Sequence, residues 1–150
     1  MVKNKLKLIE ITTLSEEIHG LVDRQSGARI RTGLLDEKIS LVQKYWLGDL
    51  GKKTKEVVDE IEPLRTSLFA KYGESQPDGS IGISAIIEEK NEAGEVINKK
   101  TNPNWELFNK EYSELMDQEK EIEHHEFFLN DFAEVKTENR YAIFQNLLKP

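Results

Sequence analysis

A glutamate and two histidines near the end of a predicted helix are the residues in this chain that most resemble a metal site. Glu121 and His124 are three positions apart, which places them on one face of a helix, and His125 follows directly. Bundles that hold two metal ions need two such Glu-x-x-His motifs and two further glutamates. Here there is one motif, and the only other histidine is His19. We therefore predict no metal or cofactor site, but two surface histidines whose pKa values are kept up by nearby carboxylates.

Nucleophilic and phosphate-binding motifs are also missing. The chain has no cysteine and no Gly-x-Ser-x-Gly elbow. The segment Gly48-Asp-Leu-Gly51 lacks the glycine spacing and the Lys-Ser/Thr ending of a P-loop. A hydrolase with paired carboxylates stays open, although nothing singles out one pair among the 28 acids. We predict that the protein is not an enzyme.

Negative charge is concentrated in one segment. Residues 111–134 carry nine acids and one base, whereas the whole chain has a net charge of −7. This segment is a solvated helix face, a docking surface for a basic partner, or a cation-binding surface. The candidate docking residues are Glu111, Glu114, Asp117, Glu121 and Glu123.

Three large consecutive side chains, Tyr45, Trp46 and Leu47, cannot all face one core from a single helix. Either they pack against the N-terminal part of the chain, or at least one lies at an interface, where aromatic residues are enriched. Arg24, Arg29 and Arg31 form one basic cluster. We expect it to pair with the acidic helix of the same chain or of a neighbouring subunit.

Hydrophobic spacing predicts the elements that must position these residues. Partial alternation predicts a strand over residues 5–12, followed by a helix from a Thr13–Glu16 capping box to about Arg24. Residues 32–72 have helical spacing, interrupted by Gly48 and Gly51, where we expect a bend or a close helix contact. We expect Pro63 to kink the second half of this helix.

The part of the sequence after residue 72 predicts a β-hairpin between two helices. Alternation over residues 81–87 and 95–99 indicates two paired strands within 80–100. Asn102 and Pro103 begin a helix, which we expect to run to His125 and to pack against the preceding helix. A last helix is predicted over 137–148, starting at Thr137. The predicted fold is mainly α (α+β): a long antiparallel helical hairpin (32–72 and 102–126) with an inserted β-hairpin, an N-terminal strand and helix (1–31) and a C-terminal helix.

Length and composition narrow the class of protein. A chain of 150 residues predicts a single domain, 1–150, and 37% apolar against 33% charged residues predicts an elongated one. No apolar run reaches the length of a membrane helix, so we expect no membrane contact and a cytoplasmic location. The acidic pI of about 5.1 argues against direct nucleic-acid binding.

One resemblance covers about residues 34–135. A helix ending in Leu-Phe-Ala-Lys-Tyr-Gly-Glu (68–74) and a β-hairpin are followed by two further segments, Asn-Trp-Glu-Leu-Phe-Asn-Lys-Glu-Tyr-Ser-Glu-Leu (104–115) and Glu-Lys-Glu-Ile-Glu (119–123). This order resembles a group of small uncharacterised bacteriophage proteins. The resemblance implies a phage origin, hence a host cytoplasm or a virion, and a non-enzymatic role. It transfers no catalytic or binding residue.

Three functions remain open from the sequence. The first is a non-catalytic phage accessory or virion-associated protein that acts by self-assembly and protein docking. The second is an inhibitor that blocks a host nucleic-acid-binding or defence protein with its acidic helix, and the third is a small-molecule or metal-binding module. A thin helical hairpin cannot bury apolar residues on both sides, so we also predict a homo-oligomer, most simply a dimer, with Trp46 or its neighbours at the contact.

Overall fold

A computed structural model describes residues 1–23, 25–135 and 141–150. The chain forms four α-helices, eight short strands and two 3-10 turns in those residues. In chain order the helices and strands are β1 (Val2–Lys7), α1 (Leu8–His19), β2 (Leu21–Val22), β3 (Arg29–Arg31), α2 (Leu41–Tyr72), β4 (Glu74–Ser75), β5 (Ile81–Gly82), β6 (Ile86–Lys90), β7 (Val96–Thr101), α3 (Pro103–Met116), β8 (Glu119–His124) and α4 (Ala142–Leu147). The mixed α and β class is as predicted.

The chain divides into two compact units. Unit 1 combines residues 1–60 with 117–150, and unit 2 is the segment between them, residues 61–116. Both ends of the chain therefore contribute to unit 1. Each strand in the described residues pairs with one other strand, antiparallel in all four cases.

The first strand and helix of unit 1 are shifted from their predicted positions. β1 begins at Val2, and α1 begins already at Leu8, where the N–H of Lys7 donates to the carboxylate of Glu10. The predicted capping box at Thr13 is wrong, because the Thr13 hydroxyl lies inside the helix and donates to the carbonyl of Ile9. The helix starts this early because its buried side chains are three and four residues apart, and this helical spacing outweighs the partial alternation. These buried residues are Ile11, Leu14, Ser15 and Ile18.

Helix α2 runs without interruption through both glycines and Pro63. In unit 1 its buried face carries Gln43, Leu47, Leu50, Thr54 and Val57, again at steps of three and four. The close helix contact expected near the glycines is confirmed at Gly51. A Cβ added there would lie 2.9 Å from the ring of His19 and from Ile18 Cγ2.

The largest difference from prediction follows Met116. The helix expected to extend to His125 ends there, and residues 119–124 form β8, which pairs with β1 from Lys7–Glu119 to Val2–His124. The glutamates at 119, 121 and 123 face outward, opposite the lysines of β1, while Ile122 and His124 between and after them are buried, so the segment has the period of two of a strand. The second arm of the predicted helical hairpin is therefore wrong beyond Met116.

Buried aromatic rings fill the core of unit 1 at its C-terminal end. Phe127 contacts Phe144 and Phe132 edge-on, with ring centroids 5.4 and 5.8 Å apart. Phe132 and Phe144 make the third edge contact, at 5.0 Å. Tyr141, Phe144 and Leu147 are buried, and the predicted start of the last helix at Thr137 lies outside the described residues.

Unit 2 contains the end of α2, the short β4–β5 pair, the β6–β7 ribbon and α3. Phe69 of α2 contacts Phe108 of α3, with ring centroids 4.8 Å apart. The helix start at Asn102 is confirmed, since its side-chain oxygen accepts from the N–H of Asn104. The strand predicted over 81–87 is two strands, β5 and the start of β6, and each has a different partner.

Candidate interaction surfaces

The three large residues at the start of α2 have different surroundings. Leu47 is fully buried, so it belongs to the core and cannot form a surface contact. Trp46 is half-buried and stacks on the ring of His125, with centroids 4.5 Å apart and planes within 6°. Tyr45 is 69% exposed and meets Trp46 edge-on. Of the three, Tyr45 is the one that presents most of its side chain to a partner.

Most of the candidate acidic residues face lysines. Glu111 pairs with Lys71 at 3.1 Å in unit 2, and hydrogen bonds from Tyr72 and Lys71 hold the pKa of Glu111 below its ordinary value. Asp117 pairs with Lys7 at 3.6 Å and Glu121 with Lys3 at 3.5 Å in unit 1.

Glu123 lies opposite Lys3 in the β1–β8 pair. Glu114 lies exposed on α3. The negative charge is thus divided between two elements and largely paired within the chain, instead of forming one acidic helix face.

The β1–β8 pair has a charged outer face. Lys3, Lys5 and Lys7 alternate along β1, opposite the alternating glutamates of β8, and the ion pairs are diagonal, with Lys5 pairing with Glu119 at 3.7 Å. We name this surface the Lys–Glu ladder. Exposed ion pairs contribute about 0–1 kcal/mol each, so the ladder sets the register of the pair more than it stabilises the fold.

His124 lies on the opposite face of β8 from the ladder and is buried, which corrects its predicted surface position. Its Nδ1 donates to the carbonyl of His125 at 2.6 Å, and its Nε2 accepts from the side-chain amide of Asn4 at 2.7 Å. With both ring nitrogens occupied in this way, the imidazole is neutral. Burial is the main cause that lowers the pKa of His124, the reverse of the predicted direction. Because Glu121 and His124 are on a strand and on opposite faces, they do not form the helical motif.

Sequence patterns did not indicate a buried carboxylate, yet Glu17 of α1 is 3% exposed. Its Oε1 accepts from the backbone N–H groups of Ile143 and Phe144, at 3.0 and 3.2 Å, and so caps the first turn of α4. Oε2 is buried without a hydrogen-bond partner in the described residues. Burial raises the pKa of Glu17, against the lowering effect of these hydrogen bonds and of Arg31.

The basic cluster is only partly described, because Arg24 lies outside the described residues. Arg29 pairs with Asp36 at 3.0 Å, and not with the acidic segment of the same chain, which was one of the two predicted partners. Arg31 contributes its charge to the surroundings of Glu17. Of the described residues of this cluster, Arg29 therefore contacts a carboxylate of unit 1 and Arg31 lies near one.

Unit 2 exposes apolar side chains on its β6–β7 ribbon. Ile86, Ile87, Val96 and Ile97 are all exposed. Beside the start of β6 lies a groove of about 250 Å³, whose lining includes Tyr72, Ile83, Ile86 and Ile87. No group of three or more His, Asp or Glu side chains that could hold a metal ion occurs in residues 1–23, 25–135 and 141–150.

The chain was compared with family models, curated proteins and solved structures. No match was found in any of them. Separately, no helix in the described part of the chain is both long and apolar enough to cross a membrane.

Proposed function

We propose that this protein is a non-catalytic docking protein that binds an extended segment of a partner protein along the outer edge of β6. The observation that carries the proposal is the open β6 edge beside the groove at Ile86 and Ile87. Extended segments bind such edges by adding a strand, and an adjacent groove can take one of their side chains.

The β6–β7 ribbon has few packing contacts in the described residues. β6 pairs with β7 alone in the described residues, and almost every residue of the two strands is exposed. An isolated two-stranded ribbon is marginally stable, whereas a third strand adds main-chain hydrogen bonds and side-chain contacts. A partner strand would therefore stabilise the ribbon as it binds.

β6 is the better docking edge of the two strands. β7 has one extra residue, Ile97, between the residues that pair with Lys90 and Glu89, and such a bulge disturbs the edge. It also carries Lys99 and Lys100, and edge lysines oppose strand addition. β6 begins with two apolar residues next to the groove, and its Glu88 and Glu89 are already paired with those lysines.

Two other hypotheses have less support. Inhibition of a host nucleic-acid-binding protein needs an unpaired acidic surface, but Glu111, Asp117 and Glu121 each face a lysine. A phage accessory or virion role fits a docking protein, and the phage origin stays a hypothesis that rests on the resemblance alone.

Selection of random linear peptides against the full chain tests the docking proposal. We expect binders with alternating β-branched residues, and amide signals of β6 that shift on binding in NMR spectra. Ile87→Arg should weaken binding about tenfold or more, because the arginine blocks the groove. The matched control is Ile97→Arg on β7, an exposed residue that does not line the groove, and it should leave the affinity unchanged.

Two results would contradict the proposal. One is a selection that yields no binder, and the other is a set of binders whose NMR shifts map away from β6 and whose affinity is the same for Ile87→Arg and Ile97→Arg.

A further inference from the structure

Gly48 occupies an unusual position, in the interior of α2 and without a packing neighbour. A glycine inside a helix costs about 1 kcal/mol relative to alanine. At Gly51 the close approach of His19 and Ile18 explains the missing side chain. A Cβ added at Gly48 would meet nothing within 4 Å. The fold of one copy therefore gives no packing reason for this glycine.

Gly48 belongs to a line of residues on the outer face of α2. Leu41, Tyr45, Gly48 and Lys52 follow one another at steps of four, three and four, and we name them the outer stripe. At 100° per residue, this stripe lies opposite the buried face formed by Gln43, Leu47 and Leu50. Leu41 is 83% exposed and Tyr45 69%. Two large apolar side chains and a glycine thus point away from the core.

The outer stripe is complementary to itself. If a second α2 crosses in the antiparallel direction, with the two-fold axis between positions 46 and 47, Tyr45 lies opposite the partner's Gly48. Leu41 then lies opposite the partner's Lys52, whose aliphatic stem packs on apolar surface while its ammonium group stays in water. Each large side chain meets a small residue or a flexible one. We propose that the outer stripe is the contact surface for a second copy of this chain, with Tyr45 seated in the partner's Gly48 notch.

The size of the stripe sets the strength of this contact. A standard interface buries about 800 Å² on each partner, and one turn-to-turn helix crossing offers less than that. The dimer is accordingly weak, with a dissociation constant in the micromolar range or above. The contact includes Tyr45, a neighbour of the Trp46 position predicted from the sequence. It uses unit 1 and does not depend on the docking edge of β6.

Sedimentation velocity of the full chain, from about 10 µM to about 1 mM, tests the proposal. We expect a concentration-dependent shift from monomer to dimer. Tyr45→Ala and Gly48→Ala should each weaken dimerisation about tenfold or more. Gly48→Ala should at the same time raise the thermal stability measured in dilute solution, because alanine favours the helix. A folding defect would lower that thermal stability. Sedimentation and thermal unfolding together therefore distinguish loss of the dimer contact from a folding defect.

Ile87→Arg on the β6 edge is the matched control and should leave dimerisation unchanged. A monomer at every concentration, or dimerisation that is equal in Gly48→Ala and wild type, would overturn the outer-stripe contact. Loss of the dimer in Ile87→Arg alone would also overturn it and would assign self-association to the ribbon. Peptide binding at β6 is measured separately, so either proposal can fail without the other.

Discussion

Glu17 and Phe144 are linked by a hydrogen bond of 3.2 Å, in which a buried carboxylate accepts from the backbone N–H of a residue 127 positions away. The same oxygen accepts from Ile143. Helices usually take their N-terminal caps from a neighbouring residue in the chain. Here α4 takes its cap from α1, so the position of the C-terminal helix depends on one side chain of the N-terminal helix.

Removing this carboxylate should destabilise unit 1. Glu17→Ala leaves one buried and one half-buried N–H group without an acceptor, and a buried group left unpaired costs about 1–3 kcal/mol. We expect the free energy of unfolding, measured with urea, to fall by about 2 kcal/mol or more. Glu17→Gln keeps an acceptor oxygen for both N–H groups and serves as the control. Equal losses in the two variants would show that the cap contributes little.

His124 should make the fold less stable in mildly acidic solution than at neutral pH. Its folded-state pKa is lowered, so below its ordinary value of 6.5 the unfolded state binds the proton more readily than the folded state. The contribution of neutral His124 to the free energy of unfolding is therefore complete above about pH 6.5, and it decreases as the pH falls toward the folded-state pKa. Urea unfolding at pH 7.5 and 5.5 measures the decrease. It should be smaller in His124→Gln than in wild type.

His125→Gln is the control for that measurement, because it removes the adjacent half-buried imidazole, which stacks on Trp46, and leaves His124 in place. Other groups, including Glu17 with its raised pKa, contribute equally to wild type and to both histidine variants. A pH dependence that His124→Gln leaves unchanged would exclude His124 as its source.

Charge reversal should test the Lys–Glu ladder. Lys5→Glu places a third carboxylate between Glu119 and Glu121, and we expect a loss of about 1 kcal/mol that shrinks in 1 M salt. Lys55→Glu, at an exposed position of α2, changes the net charge equally and should have a smaller effect. Thermal unfolding at low and high salt compares them. The ladder has no role in stability if the two variants respond alike.

The two glycines of α2 should respond to alanine in opposite directions. Gly51→Ala puts a methyl group 2.9 Å from His19 and Ile18, and we expect it to destabilise unit 1 by about 1–3 kcal/mol. Gly48→Ala meets open space and should stabilise the monomer by about 1 kcal/mol. Urea unfolding in dilute solution measures both. Equal effects would mean that helix propensity alone decides them.

The sequence predicted those elements whose signals are local. The helix start at Asn102 and the helix end at Tyr72 depend on neighbours within a few positions. Residues 119–123 were more ambiguous, because charged residues fit both a helix face and a strand. These residues form a strand because their glutamates pair with the alternating lysines of residues 3–7, which are more than a hundred positions away in the chain.

The candidate residues show the same limit. Tyr45 and Leu47 differ in exposure because the helix turns between them, but periodicity alone did not establish which one faces the core. The role of Glu17 depends on a helix terminus near the other end of the chain. No spacing rule within α1 separates it from Glu16, which is exposed.

The discontinuous make-up of unit 1 has a consequence for synthesis on the ribosome. β1 leaves the exit tunnel long before its partner β8, and α1 long before α4, with which it packs, so β1 has no sheet partner until residues 119–124 emerge. Unit 2 is continuous in sequence and is complete before then. Translation therefore completes unit 2 before unit 1, which closes only after residues 117–150 have emerged.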